Sequence, residues 1–143
     1  MKAHLWAVAA AALLNVAPAW ADDLTGVWKL DKTPVELRFA PCEDAVCGLI
    51  ETSARIQVDP DARDINNRDP VLRSRRLKGL AMLDHLRPVA KDSRETRWRG
   101  RVYLPGSGAT YDVQVRRVDV DHLQATGCMA PLLCQTYTLT RRP

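Results

Sequence analysis

The sequence predicts an all-β fold: a single antiparallel β-barrel of about eight strands with one short helix. Three observations carry this. Short apolar runs alternate with polar residues at period two, the pattern of half-buried strands. Clusters of Pro, Gly, Asn and Asp separate the runs and supply turns. The chain is long enough for one hydrophobic core and too short for two.

The first residues read as a leader rather than as part of the fold. Lys2 gives a positive start, Leu5 to Ala17 is apolar, Pro18 breaks it, and Ala19-Trp20-Ala21 fits a small-residue cleavage site. Residues 1–21 are therefore expected to be a cleaved signal peptide and residues 22–143 one domain. The apolar run falls short of the about 20 residues a spanning helix needs. No Cys follows the cleavage site, so a lipid anchor is not expected. An exported chain follows, periplasmic or secreted, with no transmembrane segment after cleavage.

Leu24 to Asp31 opens the domain as a first strand, with Trp28 placed to plug one end of a barrel. Pro34 to Phe39 is the second, with Val35, Leu37 and Phe39 inward. After a turn at Pro41 to Ala45 comes a third strand, Val46 to Ser53. Residues 54–78 hold turn formers, and Asp69-Pro70 looks like an N-cap followed by a first-turn proline. A short helix is expected from there to Gly79, with Val71 and Leu72 inward and Arg73, Arg75, Arg76 and Lys78 in water. Gly79 to Leu83 is a strand, and His85 to Glu95 a loop.

Residues 97–118 form the central hairpin. Trp98, Gly100, Val102 and Leu104 share one parity, and Arg97, Arg99, Arg101 and Tyr103 the other. Pro105 to Gly108 turns the chain, and Tyr111, Val113 and Val115 resume the inward face. His122 to Cys128 and Gln135 to Arg141 complete the set, joined by a turn at Met129 to Leu133. Tyr103 has outward parity, and strand packing does not explain it.

The formal net charge is +4, one unit of it from Lys2 in the leader, and the charges are interspersed. That favours no nucleic-acid partner, and export favours it less. Four cysteines in an exported chain read as disulfides. Of the three pairings, Cys42–Cys47 with Cys128–Cys134 is preferred, each closing a short loop at a strand end. Structural zinc fits poorly, because the spacings are long and no His accompanies them.

In the order and spacing of its motifs the chain resembles the DUF2147 family of exported bacterial proteins. The carrying residues are Gly26-x-Trp28, Asp64-x-x-Asn67 with Asp69-Pro70, Leu77-x-Gly79-Leu80, and Trp98-x-Gly100. They continue with Tyr103-x-Pro105-x-x-Gly108-x-x-Tyr111, Gly127 and Thr140-Arg141. The resemblance spans nearly all of residues 22–143 and implies a lipocalin-like, calycin-type barrel with a small-ligand cavity. It implies no known reaction. Arg68 and Arg76 stand where the family usually has Pro, and Leu139 where a Trp is usual.

Candidate chemistry is sparse. Asp64, Asn67 and Asp69 cluster in a segment expected to be exposed, either as a polar site at the barrel mouth or as Asx scaffolding that caps the helix. An EF-hand loop starting at Asp59 fails, with Arg63 at its fifth position, Asp64 at its sixth and Pro70 at its twelfth. Asp84-His85 and Asp121-His122 are adjacent pairs, which a regular strand points to opposite faces. Ser53, Ser74, Ser93 and Ser107 lack a nucleophile-elbow context. No catalytic residue, metal ligand or cofactor is assigned. Asp64, Asn67, Trp98, Tyr103 and Tyr111 are the candidate ligand-binding residues.

The expected function is binding of a small apolar or amphipathic ligand without chemistry. The alternatives are an envelope structural or protein-interaction module with a filled barrel, and an enzyme on an envelope component using Asp64.

Overall fold

In the computed structural model, which describes residues 19–89 and 96–143, eight strands close in simple chain order, every neighbour antiparallel. They are β1 Gly26–Leu30, β2 Glu36–Cys42, β3 Ala45–Thr52, β4 Ala81–Pro88, β5 Arg97–Leu104, β6 Ala109–Arg117, β7 His122–Ala130 and β8 Leu133–Arg141. Closure is made by β1 against β8, with Trp28 opposite Arg141 and Leu30 opposite Leu139. The expected antiparallel barrel forms, with up-and-down topology, and full closure removes the exposed sheet edges that would otherwise pair with other chains.

Parity places the side chains as the alternation predicts. Leu37 and Phe39 of β2, Val46 and Ile50 of β3, Trp98 of β5, Val113 and Val115 of β6, and Leu123 and Ala125 of β7 are buried. Gly48 lies under the Phe39 ring, where an added Cβ would come within 2.3 Å of Phe39 Cε1, so the absence of a side chain there lets the ring lie flat on β3.

One end of the barrel is filled. Trp28 is fully buried, and its Nε1 donates to the Leu24 carbonyl at 2.8 Å. The Arg141 guanidinium lies 4.1 Å from the Trp28 ring centroid and donates to the carbonyls of Thr25 and Asp23. Arg117 covers the Trp98 ring at 5.9 Å and pairs with Asp23 at 3.0 Å. Cation–π contacts of this kind cap the end with guanidinium groups laid over the rings. A single helical turn, α1 (Ala19–Asp22), sits here with Ala21 fully buried. The proposed leader otherwise lies outside the described residues.

The connection from β3 to β4 departs from expectation. It begins with an unexpected helix, α2 (Ala54–Val58), whose N-cap Ser53 accepts from the Ile56 amide. The expected helix after Asp69 is a tighter 3-10 turn, Pro70–Ser74, capped as foreseen by Asp69 accepting from the Val71 amide at 2.9 Å. It ends at Arg75, well before Gly79. Val71 is 80% exposed and Leu72 38%, not inward. With no apolar face to bury, the segment has nothing to extend it into an α-helix. β4 also runs further than expected, to Pro88, and carries His85 at φ 51 within a register shift between Asp84 and Arg87. The rest of the expected loop, residues 90–95, lies outside the described residues.

Both preferred disulfides are formed, Cys42–Cys47 across the β2–β3 turn and Cys128–Cys134 across the β7–β8 hairpin.

Candidate functional site

The two faces of β5 lead to two different sites. Inward, Val102 and Leu104 line a cavity of about 220 Å³ in the half of the barrel opposite Trp28. Its floor is Leu37, Leu83, Val113 and Leu139. Its open rim is Leu104, Tyr111, Met129, Leu133 and Tyr137, with Thr33 and Gln135 as polar groups. The wall is mostly apolar because the strands present their inward side chains to it, and on β4 the adjacent Met82 and Leu83 both reach it. The space exists because Ala125 and Gly127 of β7 are small where larger residues would reach the centre. Tyr111 therefore lies on the cavity. Trp98 does not: it is fully buried in the filled half, and its Nε1 has no acceptor among the described residues.

Outward, Tyr103 meets the β3–β4 connection. Its hydroxyl donates to Asp64 Oδ1 at 2.6 Å and accepts from Asn67 Nδ2 at 2.9 Å. Asn67 Nδ2 also donates to Asp64 Oδ2 at 2.8 Å, and Arg75 donates to the same oxygen through Nε and Nη2, both at 3.0 Å. Asp64 is fully buried, Asn67 and Tyr103 nearly so. This corrects the exposed placement expected for Asp64 and Asn67: the connection folds flat against the barrel wall and covers them. Burial, and then the Asp64 carboxylate it faces, push the Tyr103 phenol above its ordinary pKa.

Further bonds lock the same contact. Asn66 Nδ2 donates to the Pro105 and Gly106 carbonyls, and Gly108, at φ +67, lets the Asn66 carbonyl approach to where a Cβ would lie 2.1 Å away. Asp69 accepts no partner in this network; its amide instead bonds to Asn67 Oδ1. The Asp64-x-x-Asn67 and Tyr103-x-Pro105-x-x-Gly108 motifs are thus two halves of one latch on the outside of the barrel. With both oxygens of Asp64 holding donors, the group tethers the connection to the wall.

A third cluster sits on the β2–β3 and β4 edge. The expectation that Asp84 and His85 point apart does not hold. The positive φ of His85 turns the strand, and His85 Nδ1 reaches Asp84 Oδ1 at 2.7 Å while Nε2 lies 3.4 Å from Glu43. The Asp84 hydrogen bond, followed by its charge and then Glu43, holds the His85 pKa above its usual value. Asp84 also lies 3.2 Å from Cys47 Sγ, but both nearby sulfurs are in the disulfide and offer no thiolate to a metal. His122 pairs with Asp119 at 2.8 Å rather than with its neighbour Asp121.

Comparison with protein families matches residues 26–141 to one described as an uncharacterized protein conserved in bacteria, DUF2147. The chain belongs to the DUF2147 family. Among solved structures, a protein of the human pathogen Helicobacter pylori, HP1028, described as belonging to the lipocalin family, superimposes with a TM-score of 0.68. Its identity is 20%, over 84% of this chain and 83% of that one, so the likeness is of fold. No curated protein matches the chain. The DUF2147 match begins at Gly26 and ends at Arg141, the two residues brought together at the barrel seam, where Arg141 Nη1 would lie 3.1 Å from a Cβ on Gly26.

The cavity-lining residues missed by the sequence reading include Met82, Met129 and Leu133. Leu133 shares the parity of Tyr137 and Leu139, which the alternation puts on one face, so the signal was there for it. Met129 was assigned to a turn because Pro131 follows it, but β7 runs on to Ala130.

Proposed function

We propose that this DUF2147 protein is an exported lipocalin-like carrier that holds a small apolar or amphipathic ligand in the open half of its barrel, without chemistry. The observation that carries the reading is the apolar cavity, enclosed by inward side chains and open at one end beside Thr33, Gln135 and Tyr137. An apolar wall favours an apolar body by burial of its surface. The few polar groups at the rim suit a polar end left in water. The volume of about 220 Å³ is under the roughly 300 Å³ of common ligand pockets, which selects a slim tail or a single small ring over a bulky ligand.

Two disulfides are compatible with an oxidising compartment, and no helix among the described residues is long and apolar enough to cross a membrane. Native mass spectrometry of the purified, delipidated protein mixed with fatty acids of increasing chain length tests the proposal. One-to-one adducts that favour short or single-chain acids are expected. Adducts that scale with concentration for every acid, with no saturation at one, would remove it.

A further inference from the structure

The barrel carries a second recess, on its outer flank and separate from the apolar cavity. It is a groove of about 580 Å³ between the latch and the outer faces of β4 and β5. Three arginines line it: Arg68 and Arg75 from the β3–β4 connection, and Arg101 from β5. They do not play the same part. Arg75 is fixed from behind by the buried Asp64 carboxylate, at 3.0 Å through two of its nitrogens, and its guanidinium stands 5.5 Å from the Tyr103 ring. Arg68 and Arg101 are exposed, and among the described residues neither side chain makes an ion pair or hydrogen bond.

Two carboxylates also line the groove, and both are already engaged. Asp69 caps the 3-10 turn through the Val71 amide at 2.9 Å, and Asp84 holds His85 Nδ1 at 2.7 Å. Neither carboxylate is ion-paired with Arg68 or Arg101, which leaves those two guanidiniums of the groove without a partner among the described residues. Thr110 adds a hydroxyl, and Leu72, Leu80 and Ala81 give an apolar strip along one side.

We infer that this flank groove binds the oxyanion group, phosphate or carboxylate, of a small organic ligand, with Arg68 and Arg101 as its direct donors and Arg75 as the preset third. Guanidinium groups match planar and tetrahedral oxyanions with paired N–H donors. A salt bridge from behind spares Arg75 part of the entropy of being ordered by the ligand. The apolar strip accommodates the organic part beside the anion.

The test uses the full chain and two anion sources. Arginine Nε–H NMR signals are followed while inorganic phosphate and then glycerol 3-phosphate are added, and cosedimentation with phosphatidylglycerol vesicles is compared with phosphatidylcholine vesicles. Saturable shifts at Arg68 and Arg101 are expected, weakened by salt. In Arg68→Gln/Arg101→Gln binding should fall by roughly tenfold or more, as loss of two charge-assisted contacts requires. Arg99→Gln, on the same face of β5 but outside the groove, should leave it unchanged. Both altered side chains are solvent-exposed, and an unchanged thermal melt confirms the double variant is folded; the single Arg101→Gln gives the same readout independently. Binding to phosphatidylglycerol vesicles alone, lost in the double variant, supports the site with a lipid headgroup as the source. Absence of saturable binding in both arms overturns the inference, as does equal binding by the double variant.

Discussion

Tyr103 is the residue on which the outer architecture turns. It sits on a strand with its side chain outward, yet it is buried, because a segment 39 residues earlier in the chain lies over it. Tyr103→Phe keeps the ring and removes the hydroxyl, leaving Asp64 Oδ1 and Asn67 short of a partner in a buried network. The expected cost is about 2 kcal/mol in urea unfolding, in the range for a buried hydrogen bond to a charged group. Gly108→Ala should cost more than 1 kcal/mol, because it adds a positive-φ penalty to a clash with the Asn66 backbone. At the half-buried His85, the raised pKa means its bond to Asp84 contributes stability that is fully present below the unfolded pKa of about 6.5 and lost as pH rises through the higher folded value. An NMR titration should place the His85 midpoint above that of a denatured control, and Asp84→Asn should bring it down.

Among the elements, the strands were legible in the sequence and the β3–β4 connection was not. A strand declares its faces locally through alternation, so the inward positions of β2, β5, β6 and β7 could be read without a partner. The connection is positioned by non-local bonds: Asp64 to Tyr103, Asn66 to the β5–β6 turn, Arg75 to Asp64. Its local letters show only turn formers and a cap, and the cap was right while the length of the helix was not. The size of the cavity was also hidden, because parity gives which residues face inward but not whether small ones such as Ala125 and Gly127 leave a space. The β7–β8 hairpin has a plain sequence mark of its own: in a chain that is 27% charged, no charge falls between Leu123 and Thr140. Its tip exposes Met129, Leu132 and Leu133, so the strands there gain little from burial. The Cys128–Cys134 disulfide should therefore matter most at this element. Replacing both by Ser is expected to cost about 2 kcal/mol from the short closed loop and to raise hydrogen exchange in β7 and β8 beyond Gly127 before the rest of the barrel.

For the whole molecule, the two ends divide the work. The end at Trp28 is filled and clamped by Arg117 and Arg141; the end at Tyr111 and Tyr137 is open onto the cavity. The proposed processing site belongs to the filled end. Ala21 is fully buried and its carbonyl accepts from the Leu24 and Thr25 amides, so the bond to Asp22 is shielded once the barrel has closed. Signal peptidase should cleave the unfolded precursor before Asp22 and leave the refolded precursor uncut, which N-terminal sequencing of both digests would show. The central claim is that the open half of the barrel is a binding site. Gly127 faces that space, and a Cβ there would meet Val102 Cγ1 at an ordinary 3.5 Å, so Gly127→Leu can fill the cavity without breaking the wall. The direct measurement is displacement of a fluorescent fatty acid from purified wild-type and Gly127→Leu protein. Saturable binding by the wild type that falls by at least about tenfold in a folded Gly127→Leu variant is the predicted result; equal binding by the two, or none by the wild type, would contradict it.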